Sequence, residues 1–334
     1  MILSKTPLRM SFVGGGSDLP SFYRNYPGAV LSASIDQYIY LAINRKHDQS
    51  IRVNYSKTEN VNDVRDIQHP LVREALNLTG IKYGIEIASM ADIPSSGSGL
   101  GSSSSFTVGL LNALYTYSGN RISKEELAKM ACYIEIDKCK EPIGKQDQYA
   151  AAFGGLNLIQ FYPDESVTVE PVNCEDKTLQ EFEDLILVFF TGRTRSASKI
   201  LIDQSMNMAS QTSARILTQR MVQLAHEMKV ELEAGNLSCI GQMLDENWRL
   251  KTQLSSGISD SEIDSWYEVG MRSGACGGKL LGAGNGGYLL FIAPKDRHEA
   301  IKSALKGLKV TPFKLEFSGT KIAFADKGFN ANYD

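Results

Sequence analysis

The sequence predicts a two-domain chain that mixes strand with helix, and three observations predict it. Its 334 residues exceed the ~100–200 residues of a typical domain. Hydrophobic residues make up 43% and charged residues 22%, ordinary usage that supports a packed core and excludes general disorder. The first half reads as short strands and the second as mostly helix, with an acidic, turn-rich stretch at 163–177 between them. The expected domains are 1–170 and 178–334.

Taken in order, residues 8–13, 29–35, 38–44 and 51–55 are rich in β-branched and aromatic side chains and read as strands. Residues 69–78 read as a short helix stopped by Gly80, and 84–88 as a strand. That strand runs into a glycine- and serine-rich loop, 94–101. Phe106, Leu110, Leu114 and Tyr117 share one face of a helix starting near Ser102. Ser123 and Glu126 form a capping-box pattern opening a helix to about Cys139. An apolar run at 185–190 reads as a strand. Residues 196–234 hold one broken helix or two, and 237–254 and 260–273 are helical. Residues 288–293 read as a strand, 296–305 as a helix, and 312–317 and 321–324 as strands.

Composition also removes several functions. The net charge of −3, with no basic stripe, gives no reason to expect nucleic acid or an acidic membrane as partner. The five cysteines form no CxxC pair, and with four scattered histidines they give no zinc pattern. The N-terminal segment lacks the apolar stretch of a signal peptide, and no run approaches the ~20 residues of a membrane span. The expectation is a cytoplasmic protein.

Three glycine clusters compete for a phosphate-binding role: 14–16, followed by Ser17 and Asp18; 97–101, followed by four serines; and 282–287. The third contains a G-x-G-x-x-G pattern but is followed by a strand, whereas a dinucleotide fingerprint opens a helix. No cluster contains GK[ST], which excludes a Walker A loop. The second sits between a strand and a helix start, where backbone N–H groups and the helix dipole favour an anion. Its serine hydroxyls can donate to phosphate or ligate Mg²⁺; a solvated turn is the competing reading. Asp147, between Gly144 and the Gly154-Gly155 pair, is an acidic candidate, although a lone Asp in such a stretch is more often a helix cap.

Together the clusters resemble the GHMP kinase superfamily, whose three motifs fall in order along this chain. The first runs from Thr6 through Arg9 to Asp18, the second from Pro94 to Ser104, and the third from Lys279 to Gly287. The resemblance implies an α+β GHMP kinase fold: an N-terminal domain like domain 2 of ribosomal protein S5, a C-terminal ferredoxin-like domain, and an active site between them. The first motif, the 144–155 stretch and the segment 190–195 look like the sugar-1-kinases, and are most similar to the D-glycero-D-manno-heptose 7-phosphate kinases. Fucokinase-like specificity is the alternative, and a catalytically dead, sugar-responsive regulator the alternative of another class.

The resemblance carries roles residue by residue. Pro94, Ser96, Gly97, Ser98, Gly99, Leu100, Gly101, Ser102, Ser103 and Ser104 match the loop that wraps the ATP phosphates. Ser103 matches the Mg²⁺ serine; Glu135 is its expected carboxylate partner, with Asp137 as fallback and Glu141 behind it. Asp147 matches the catalytic base and Arg9 the first-motif basic residue beside it. Asp18, Ser17, Gly16 and Gly284 are expected at the sugar. Gly15 and Gly16 replace acidic or imidazole positions of galactokinases, which speaks against galactose and implies space for a longer sugar. Arg193 and Arg195, at a helix start, are expected to read a substrate phosphate, against the reading of a solvated basic helix start. Phe22, Tyr23, Tyr38, Tyr40, Trp248 and Trp266 read mainly as packing residues. Oligomeric state stays open, a homodimer being one option.

Overall fold

A computed structural model describes residues 1–93, 97–194 and 197–326. Strand β1 (Ile2–Val13) leads through the short helix α1 (Pro20–Tyr23) to the 18-residue strand β2 (Gly28–Arg45). Then come β3 (Ile51–Asn54), β4 (Thr58–Val61), α2 (Pro70–Thr79), β5 (Ile85–Ala91), α3 (Ser102–Tyr117) and α4 (Lys124–Cys132). A π-helical turn (Tyr133–Lys138) precedes α5 (Gln146–Phe153), β6 (Leu156–Phe161) and β7 (Val167–Pro171). The second half holds α6 (Asp176–Leu185), β8 (Ile186–Phe190), α7 (Ser198–Ser210), α8 (Thr212–Glu233), α9 (Ile240–Thr252) and α10 (Ser261–Arg272). It ends with β9 (Gly277–Leu280), β10 (Tyr288–Ile292), α11 (His298–Ala304), β11 (Lys309–Val310) and β12 (Lys321–Ala325).

The strands form two sheets. The first has the order β12-β1-β2-β5-β3-β4, with β6 added to β2 and β7 to β6; the second is β11-β8-β10-β9. The two strands read at 29–35 and 38–44 are one strand, β2. Its register against β1 slips where Pro7 faces Tyr38 and Leu8 faces Ile35, so two extra residues kink it without ending it. Beyond the kink, β2 pairs with β5 on its second edge; before it, with β6. Helices α3, α5 and α8 pack on β1 and β2, and α9 on β1, so β1 is buried on both faces from Thr6 onward.

Local signals act as read in several places. Ser123 and Glu126 close the capping box at α4, and Gly80, at φ +73°, ends α2. The helical stretch at 196–234 is two helices, broken where Gln211 turns extended. Two readings need correction. The acidic stretch at 163–177 contains β7, which pairs along β6, so the first sheet runs on to Pro171. The strand expected at 312–317 is a single bridge from Leu315 to Ile35, made by the Glu316 N–H to Ser34 and the Asp36 N–H to Lys314, while the Glu316 carbonyl turns to the Gly155 N–H.

The chain then returns to the first sheet. Strand β12 pairs with β1, so the boundary read near 170–178 is crossed once by the C-terminal strand. Before it, Gly319 (φ +69°) lies against the Ala152 and Phe153 backbone, and Gly154 (φ +71°) against the Gly319 backbone. Gly154→Ala should therefore destabilise the protein by about 2–4 kcal/mol, adding a backbone collision to the left-handed strain. Gly119→Ala, at φ +75° but with nothing near its Cβ, should cost about 1 kcal/mol. Denaturant unfolding of the two variants measures the difference; equal losses would contradict the close packing of this loop.

Candidate active site

Alternation along β1 turns Arg9 away from the face of Leu8 and Met10. Its guanidinium donates two N–H bonds of 2.7 Å to the Asp147 carboxylate and a third of 2.7 Å to the Gly99 carbonyl. The Arg9 backbone N–H donates to the Leu100 carbonyl at 3.0 Å. Strand β1, the second glycine cluster and the first turn of α5 thus meet at one buried arginine. Gly101, at φ +75°, stands over this pair. An added Cβ would lie 3.2 Å from Asp147 Oδ2 and 3.3 Å from Arg9 Cγ.

The three glycine clusters do not compete; they assemble. A Cβ on Gly99 would run into the Leu281 carbonyl, one on Gly282 into Gly99, and one on Gly287 into the Ser98 carbonyl. Second and third clusters therefore touch backbone to backbone, an approach only glycine allows. Lys279, fully buried on β9, donates to the carbonyls of Ser11 and Phe12 at the end of β1. Burial, with the charges of Lys251 and Arg9, pushes its ammonium well below the usual lysine range.

Glu135 sits on the inner side of the π-helical turn and is wholly buried, whereas Asp137, two residues on, is exposed. Ser103 Oγ donates to one Glu135 oxygen at 2.8 Å and Gln148 Nε2 to the other at 2.5 Å. Burial pushes the Glu135 carboxyl up to about 7, opposed by the hydrogen bonds from Ser103, Ser104 and Gln148. Among the described residues no group of three or more His, Cys, Asp or Glu side chains gathers to hold a metal alone. One carboxylate and one hydroxyl oxygen form a hard donor set that fits Mg²⁺ when phosphate oxygens complete it.

Arg9, Asp147 and Ser103 open onto a cavity of about 950 Å³ lined from both halves of the chain, while Glu135 and Lys279 lie buried behind its lining. One end is aromatic: His69 stacks on Phe106 with centroids 5.1 Å apart, and Tyr55 meets the His69 ring edge-on. The loop at 97–104 borders the middle, where Ser98 Oγ is buried without a hydrogen-bond partner among the described residues. The other end is polar, with Asp18, Gln146, Gln204 and Lys251. Asp18 accepts from the Gly16 N–H at 3.0 Å and the Gln146 N–H at 3.3 Å; burial and then the Asp147 charge push its carboxyl up. Gly144 is required here, because a Cβ would overlap the Asp18 carboxylate. Burial pushes the Lys251 ammonium down to about 8.

Of the expected site residues, Arg9, Asp147, Asp18, Gly16, Gly97–Gly99, Gly101 and Ser102–Ser104 all line this cavity. Leu100 is buried behind the loop, offering its carbonyl to Arg9. Pro94, Ser96 and Arg195 lie outside the described residues. Four expectations do not fit. Ser17 Oγ is bound to the Ala29 backbone, and Gly284 packs against Ile258; neither lines the cavity. Arg193 is held by Asp260 at 3.1 Å and Glu262 at 3.3 Å and lies over Trp266, away from the cavity. The space expected beside Gly16 is filled by the Gln204 amide. Sequence reading missed Lys251, Gln204, Gln148 and the Tyr55–His69–Phe106 group. Each reads as an ordinary polar or core position of its element, and no spacing signals it.

Two families match the chain: GHMP kinases N terminal domain at residues 68–155 and GHMP kinases C terminal at 228–309. The D-glycero-alpha-D-manno-heptose 7-phosphate kinase of Campylobacter jejuni is 31% identical over 96% of this chain and 97% of its own length. The Arabidopsis thaliana bifunctional fucokinase/GDP-fucose pyrophosphorylase is 27% identical over 88% of this chain, which spans 30% of that protein. A crystal structure described as a D-glycero-D-manno-heptose 1-phosphate kinase from Bacteriodes thetaiotaomicron superposes with a TM-score of 0.81. It is 25% identical and covers 98% of this chain and 100% of its own.

The three short bonds of Arg9 need a planar guanidinium, which a lysine ammonium cannot replace. Arg9→Lys should lower kcat for phosphoryl transfer tenfold or more, the scale of losing one charged hydrogen bond of about 1.5–3 kcal/mol. A coupled ADP-release assay measures it, and a kcat within twofold of wild type would contradict the need for the paired bonds.

Proposed function

The chain belongs to the GHMP kinase family and is an ATP-dependent sugar kinase, and we propose that its substrate is D-glycero-D-manno-heptose 7-phosphate, phosphorylated at the anomeric hydroxyl. The product is the 1,7-bisphosphate, on a route to GDP-heptose and surface glycans. The observation that carries this reading is the 31% identity to the Campylobacter jejuni heptose 7-phosphate kinase along nearly the whole of both chains. Fucokinase-like specificity is the second reading, favoured by the Arabidopsis relative.

The proposed mechanism is mostly positioning, as phosphoryl transfer requires. ATP lies with its base at the aromatic end and its phosphates over the loop at 97–104, at the positive end of the 16-residue helix α3. Asp147 is the general base. Arg9 occupies one lone pair on each of its oxygens, which leaves a second on each to accept the proton of the anomeric hydroxyl. That hydroxyl is more acidic than an ordinary alcohol, so a carboxylate suffices. The guanidinium fixes the direction of the base and compensates its charge as the sugar oxygen attacks the γ-phosphorus. Ser103 and Glu135 would hold Mg²⁺, which neutralises phosphate charge when bound. Gln148, donating to Glu135, fixes that carboxylate.

The helix α7 begins at the cavity, which Thr194, Ala197 and Ser198 line. With Arg193 bound to Asp260 and Glu262, we assign the reading of the 7-phosphate to Arg195. Initial rates with heptose 7-phosphate, unphosphorylated heptose, L-fucose and D-mannose test the specificity. The sugar phosphate should give the highest kcat/KM, and Arg195→Ala should raise its KM about tenfold while sparing the KM for ATP. A higher kcat/KM for L-fucose would replace this reading with the second.

The metal role has its own test. Glu135→Ala should raise the Mg²⁺ concentration giving half-maximal rate about tenfold, consistent with the loss of one ligand in a site of few protein ligands. An unchanged Mg²⁺ dependence would remove Glu135 from the metal.

A further inference from the structure

The polar end of the cavity holds two nitrogen donors that the mechanism above does not use. Gln204, on α7, is 1% exposed, and its amide Nε2 has no hydrogen-bond partner among the described residues. It stands against Gly16, where any side chain would strike it and whose N–H donates to Asp18. Lys251, in the last turn of α9, is 5% exposed, and its ammonium donates to the Gly282 carbonyl at 2.6 Å. One bond leaves two of its three N–H donors unspent. Both side chains line the cavity together with Asp18.

A buried donor without a partner costs about 1–3 kcal/mol, and an apolar side chain of the same shape would remove that cost. The Gln204 amide is such a donor, and Lys251 keeps two N–H groups beyond its bond to Gly282, so a ligand that accepts from both gains what the free protein forgoes. The Asp18 oxygens each take one backbone N–H and retain a lone pair, so the carboxylate can accept from hydroxyls. Adjacent hydroxyls on a sugar ring both donate and accept. They match an acceptor carboxylate accompanied by donor nitrogens, whereas the ATP phosphates match the glycine loop.

We propose that Lys251 and Gln204 are specificity-determining residues that, together with Asp18, hold adjacent ring hydroxyls of the sugar. This rests on the sugar-kinase activity of the chain and not on which sugar it takes. A site that hydrogen-bonds its substrate through buried donors also rejects analogues lacking the hydroxyl, because the donors are then left unpaired. Lys251 lines the same cavity as Asp18, Arg9 and Asp147, and its ammonium lies next to Gly15, which places this reading at the reacting end of the ring rather than at a remote phosphate.

The experiment compares Gln204→Leu and Lys251→Met with wild type in KM for sugar, KM for ATP, kcat and melting temperature. Each variant should raise the sugar KM tenfold or more and leave the ATP KM within twofold. Gln204→Leu should melt no lower than wild type, since its amide nitrogen gives up no bond. An unchanged sugar KM in both variants would overturn the proposal. If Lys251→Met fails to fold, Gln204→Leu decides alone. If wild type prefers a sugar other than heptose 7-phosphate, the substrate reading falls. The same variants measured with that sugar must still lose affinity for the proposal to stand.

Discussion

The ion pair between Arg9 and Asp147 is the contact around which the rest of the molecule is arranged. It joins a strand of the first sheet to a helix 138 residues later, and its third hydrogen bond reaches the loop between them. Arg9 is almost wholly buried, which is tolerable because its charge is paired with Asp147 and each of its three nitrogens donates to an oxygen. The surrounding sequence makes room for this. Gly101 keeps a side chain out of the space above the pair, and Gly144 lets the Asp18 loop close beneath the start of α5. Gly154 and Gly319 seat the far end of that helix against the returning C-terminal segment.

The second glycine loop gains its shape from the same economy. It must expose N–H groups toward the cavity while its other side packs against the third glycine cluster. The Gly99–Gly282 and Ser98–Gly287 approaches achieve this by backbone contact alone. A phosphate loop built this way depends on both halves of the chain. Lys279, tying β9 to the end of β1 through two carbonyls, holds the same junction from below.

Much of this was legible in the sequence where a residue type has a single physical use. The clustered glycines marked backbone that must turn or touch and the capping box marked α4, whereas Arg9 and Asp147 were marked as a pair only by the resemblance to the GHMP kinases. The rest was hidden for identifiable reasons. Gln204 and Lys251 belong to amphipathic helices, where a polar residue ordinarily marks the solvent side; here a second sheet's helices face a cavity instead. Arg193 read as a free cation because Asp260 and Glu262 are remote in sequence, and only the fold brings them to it. The kink in β2 looked like a strand end, since two extra residues and a turn have the same local composition. No local pattern announces that β12 pairs with β1, a contact spanning the chain.

The central claim is that Arg9 and Asp147 act as one unit in turnover. A double-mutant cycle in kcat, using Arg9→Met, Asp147→Asn and both together, tests it most directly. If the pair is a unit, the double variant is no slower than Asp147→Asn alone, because the arginine has no further role once the base is gone. Losses that multiply, each substitution costing the same with or without the other, would contradict the account.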